Sequence, residues 1–143
     1  MYIIKKEIDD YFFQNWTKTP IQFEGAKFTQ PKDGRWIAVR YIPYSRGYHG
    51  ICVETKATVR IVIFETSVTE CYKLGDEVIG FFELQDINKV SVSHGYTDGF
   101  PADDLDGIFR TSTLFDVSSF ASKYVPPTAI GAFDSSFSSA FDI

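Results

Sequence analysis

Apolar residues recur over the first sixteen positions at Ile4, Ile8, Tyr11 or Phe12, and Trp16, which is a helical period. Lys5/Asp9 and Lys6/Asp10 fall four apart on the polar side, so residues 1–16 are predicted as an amphipathic helix braced by ion pairs. Pro20 ends any continuation. Over residues 36–42 the period changes to two, and residues 51–64 (ICVETKATVRIVIF) are rich in the β-branched side chains that suit a pleated surface. These two runs are expected to pair antiparallel across a long connection at residues 43–50.

Ser67-Val68-Thr69-Glu70 has the spacing of a capping box, in which hydroxyl and carboxylate satisfy amides at a helix start. A second helix is expected over residues 68–84, with Cys71, Gly75, Val78 and Phe82 on the stripe that faces the sheet. Residues 88–96 and 108–117 alternate as two further strands, separated by a Gly- and Asp-rich loop at residues 97–107. This order of elements predicts an α+β fold, a mostly antiparallel sheet of about four strands with two helices on one face. Residues 1–122 form the expected domain. Residues 123–143 shift to Ser, Gly and Pro, a composition that supports no core, and are expected to form a flexible, extended Phe/Ser-rich C-terminal tail. Its Phe133, Phe137 and Phe141, spaced by four, are candidates for docking on a partner.

Composition adds two points. Aromatic residues make up 17% of the 143, more than a small core needs, so some are expected at an interface. Charge is unevenly distributed: residues 27–60 hold seven basic residues against two acids (+5), and residues 65–106 hold ten acids against two lysines (−8). Faces of opposite sign suit a head-to-tail contact between copies, unless the two segments interleave in space. The net charge of −5 argues against a nucleic-acid grip. No apolar run approaches the ~20 residues of a membrane span, and no signal peptide is expected at the start MYIIKKEIDDYFF.

Candidate chemistry is sparse. His49 and His94 each adjoin a glycine, with no acidic residue at metal-ligand spacing on a helix. Cys52 and Cys71 lack C-x-x-C spacing and read as reduced, packed thiols. No phosphate-cradling glycine motif occurs. Matching Asp104, Asp106 and Gly107 to a calcium-loop pattern puts Ala102 and Thr113 at ligand positions, which excludes the standard site. No catalytic residue, cofactor or metal is expected.

The stretch TPIQFEGAKFTQPKDGRWIAVRY (residues 19–41) carries Pro20, Phe23, Phe28, Pro31 and Gly34 ahead of the alternating run from Trp36. With the flanking elements, it resembles the tail terminators and tail-completion proteins of tailed phages of the lambda type, over residues 1–121. The resemblance implies a structural virion protein, assembled in the host bacterial cytoplasm and not an enzyme. Six copies would form a ring that caps the tail tube, ends its polymerisation and docks the head or neck. Implied partners are the chain itself, the tail tube protein and a neck or head-completion protein, with DNA passing through the lumen unbound and no membrane. The expected contact surfaces are Arg35, Arg40, Tyr44 and Arg46 on one side, and Phe100, Asp103, Asp104 and Asp106 on the other. A neck or head-tail joining protein, and a small-ligand binding module lined by aromatics, are the alternatives.

Overall fold

The computed structural model describes residues 1–49, 52–105 and 107–122. Two helices, α1 (Tyr2–Asn15) and α2 (Val68–Phe82), accompany six strands: β1 (Ile21–Phe23), β2 (Trp36–His49), β3 (Cys52–Glu65), β4 (Asp86–Ile87), β5 (Val90–Leu105) and β6 (Ile108–Ser122). The strands form one curled sheet in the order β1-β2-β3-β6-β5-β4. All neighbours are antiparallel except β1 and β2, which run parallel with Phe23 beside Val39.

The α+β class with a mostly antiparallel sheet therefore holds, but the sheet has six strands rather than about four. The two additional strands are only three and two residues long, too short to show a period in sequence. The long strands also extend through both expected loops. β2 and β3 pair up to His49 and Cys52, and β5 continues through the Gly/Asp-rich segment to Leu105. Two of the three register shifts in β5, between Asp98 and Ala102 and between Asp103 and Leu105, fall in that segment and absorb residues there that pair poorly. Residues 123–143, with Phe133, Phe137 and Phe141, lie outside the described residues.

The core forms on one face of the sheet. Ile37, Val39 and Tyr41 stand beside Ile63, Ile61 and Val59, with Phe115 and Val117 next along, and both helices pack on this face. α1 contributes Ile4, Ile8 and Phe12, and Trp16 directly after it completes the predicted stripe, with Phe12 rather than Tyr11 at the buried position. Tyr11 instead lies between the helices and donates its hydroxyl to the Phe81 carbonyl at 3.0 Å. α2 buries Cys71, Leu74, Gly75, Val78 and Phe82. Its start is capped as predicted on the Ser67 side, whose Oγ accepts the Glu70 amide at 3.2 Å, while the Glu70 carboxylate lies 3.6 Å from Lys73.

The signature stretch is the device that brings the chain from α1 into the sheet. The Pro20 carbonyl accepts the Ile37 amide at 3.1 Å, which starts the parallel pairing of β1. Phe28 packs on Trp36, which in turn stacks on Phe64 at 4.1 Å. The turn before β2 closes with the Gly34 amide on the Pro31 carbonyl at 3.2 Å, and Gly34 holds φ at 72°, where a side chain would be strained.

Candidate assembly surface

Because side chains alternate along a strand, the face opposite the helices is made of the other half of β2, β3, β6 and β5. One row across it reads Arg40, Arg60, Leu114 and Tyr96, each directly beside the next in register. Arg40 and Arg60 thus stand side by side on adjacent strands, an arrangement in which like charges repel. Arg60 has an acid nearby, Asp98 at 3.8 Å, yet its buried Nε has no hydrogen-bond partner. Arg40 makes no ion pair among the described residues. Tyr96, at the end of the row, is 53% exposed.

Two shallow clefts flank this row. One, of about 290 Å³, lies among Arg60, Asp98, Phe100, Arg110 and Ser112. The other, of about 380 Å³, lies among Tyr44, Lys56, Ser93, Asp116 and Ser118. Their walls mix apolar rings with charges of both signs.

The expected contact residues divide between the two ends of the sheet. Tyr44 and Arg46 are exposed on the outer half of β2, with Tyr44 at the register shift between Pro43 and Ser45 and the Arg46 guanidinium 6.0 Å from the Tyr48 ring. Phe100 and Asp103 lie at the other end on β5, where Phe100 is 87% exposed and Asp103 stands beside Phe109. Asp104 belongs to β5, although nothing is described of its side chain, and Asp106 lies outside the described residues. His94 sits in β5 with its Nδ1 3.6 Å from the Glu83 carboxylate.

Arg35 does not join Arg40 and Arg46. It sits at the opposite end, where its Nε donates to both oxygens of Glu65 at 3.0 and 2.9 Å. Glu65 is fully buried at the end of β3 and draws the guanidinium into a structural role, which also pushes the Arg35 pKa further up. The Cys71 thiol nearby is pushed up to about 11, by burial first and then by the Glu65 charge. Such a thiol stays protonated and unreactive at neutral pH.

The two charged segments touch at Arg35–Glu65 and at Arg60–Asp98, so their separation is partial. Arg60 and Tyr96 were missed as surface residues by sequence reasoning. For Arg60 the signal was its place in the alternation, opposite in phase to the buried Val59 and Ile61, whereas Tyr96 shares the parity of the buried Val90 and Val92 and is turned outward by the register shift between Val92 and Gly95, which only the folded chain shows.

Among the described residues, no helix is long and apolar enough to cross a membrane, and no three His, Cys, Asp or Glu are grouped to hold a metal ion. No family model and no curated protein matches the chain. It is similar in fold to a solved structure of a protein that bears no descriptive name, with a TM-score of 0.59 and 14% identity over 86% of this chain and 92% of that one.

Proposed function

We propose that this chain is a virion assembly protein of the tail-terminator or tail-completion class, which works as a ring of identical subunits, six by the family resemblance. The observation that supports it best is the Arg40–Arg60 pair on the face that the helices leave uncovered. Two adjacent guanidiniums raise the cost of leaving the face unoccupied, and an acidic partner segment relieves it.

The acidic end of β5, with Asp103 and the exposed Phe100 on the same strand, supplies a match in charge and in apolar contact on a neighbouring copy. Such a contact is heterologous, since the basic row and the acidic end are different surfaces, and heterologous contacts that close make rings. The ring would cap the tail tube by covering the surface that the next tube ring uses, present its other side to the neck or head, and let DNA pass without binding it. No bond is made or broken in this role.

Light scattering after size-exclusion chromatography tests the contact. Arg40→Glu and Asp103→Lys are each expected to reduce the wild-type oligomer to smaller species, and the two changes in one chain to restore it. Addition of wild-type protein to growing tail tubes is expected to stop growth, and either single variant to fail. A monomer at all concentrations that leaves tube growth unchanged overturns the proposal and favours the small-ligand reading. Binding to the head connector but not to tube ends favours the neck-protein reading.

A further inference from the structure

A sheet with two free edges presents unpaired amides and carbonyls to any strand that arrives, and a protein that must assemble in one way only has to close them. In this chain the covered part of each edge ends in the same device. On one side β1 covers β2 only as far as Phe23 beside Val39. The next amide on that edge, from Tyr41, donates to the Glu24 carboxylate at 3.1 Å. Glu24 is the residue that follows β1, so the carboxylate takes over where the strand stops.

On the other side β4 pairs with β5 at Val90 and Ser91, and the preceding chain continues alongside, with Val92 donating to the Gln85 carbonyl at 2.9 Å and Leu84 donating to Ser93 at 3.3 Å. The next outward amide, from Gly95, donates to the Glu83 carboxylate at 3.1 Å. Beyond each carboxylate comes a proline. The alternation that turns the Ile37 and Tyr41 amides outward puts Pro43 at the following outward position, where it has no N–H to offer, and the register shifts directly after it. Pro101 lies in the shift between Asp98 and Ala102 on β5.

We infer that Glu24 and Glu83 are edge stops, carboxylates that occupy the first uncovered amide on either side of the sheet and so exclude strand addition by a second copy of this chain. A charged acceptor is suited to the task because it binds the amide more strongly than water does, so an arriving carbonyl must first displace it. The inference does not depend on the ring reading, because it concerns the contacts that the fold forbids.

Hydrogen exchange read by NMR, with light scattering, tests it on the full chain. In Glu24→Ala the Tyr41 amide, and in Glu83→Ala the Gly95 amide, is expected to exchange at least about tenfold faster, as loss of a charged acceptor implies. Glu24→Gln and Glu83→Gln keep an acceptor oxygen and are expected to stay near the wild type. The double alanine variant is expected to gain mass with concentration, beyond the wild-type species. If it does not fold, the single variants carry the same test. Unchanged exchange at both amides overturns the inference, and so does faster exchange with no gain in mass at any concentration.

Discussion

Arg35 holds the fully buried carboxylate of Glu65 through a single nitrogen placed 3.0 and 2.9 Å from its two oxygens. The pair joins the chain entering β2 to the far end of β3, thirty residues on. A buried charge of this kind is tolerated only while its partner stays.

Arg35→Ala should therefore destabilise the protein. The expected cost is about 2–3 kcal/mol, below the usual ~3–5 for loss of one partner of a buried pair, because the Arg35 side chain is half-exposed and water can replace it in part. The double variant Arg35→Ala/Glu65→Gln, which removes the stranded charge, should recover most of the loss in urea unfolding. Equal stability of the single and double variants would show that the charge is not the cause.

Gly95 and Gly80 should respond to alanine in opposite directions. A Cβ at Gly95 would overlap Phe115 Cε1, so the ring or the strand must move, at a cost of about 1–3 kcal/mol or more. A Cβ at Gly80 within α2 meets nothing within 4 Å, and Gly80→Ala should stabilise by about 0.5–1 kcal/mol through helix propensity. Melting curves of the two variants decide this, and a shift of the same sign in both would refute it.

Stability should fall in alkaline solution through Cys71. Below pH 9 its thiol is protonated whether the chain is folded or not, but between about 9 and 11 the unfolded chain releases the proton first. Protein stability should thus decline across that window and level off above it. Cys71→Ala lacks this contribution, so the gap in unfolding free energy between wild type and variant should narrow as pH rises from 9 to 11. Parallel curves would count against the mechanism. Alkylation should likewise leave Cys71 unlabelled in the folded protein at neutral pH.

Ser67→Ala removes the acceptor of the Glu70 amide and should cost about 1 kcal/mol, with Ser67→Asp near wild type. Chemical denaturation of the two variants provides the check.

Much of the framework was legible in the chain. The stripe of Ile4, Ile8, Phe12 and Trp16, the cap at Ser67 and the alternation of Val59, Ile61 and Ile63 are local signals, since burial on one face imposes a period on neighbouring residues. The position of Arg40 on a strand followed from the same period, whereas Arg46 falls in a segment read as a connection and is placed on β2 only by its pairing with β3. What escaped were features that depend on partners far away in sequence. β5 runs through a glycine- and aspartate-rich segment because β6 lies beside it, and β1 and β4 exist only by pairing with longer strands.

The same holds for the roles of individual charges. Nothing around Arg35 distinguishes it from Arg40, yet one meets Glu65 and the other stands beside Arg60. Glu24 and Glu83 read as ordinary surface acids until the register shows which amide each one faces. Periodicity reports which side of an element is buried, and short patterning suffices for that. Where backbone hydrogen bonds and ion pairs end depends on the register between strands tens of residues apart, and only the folded chain sets it.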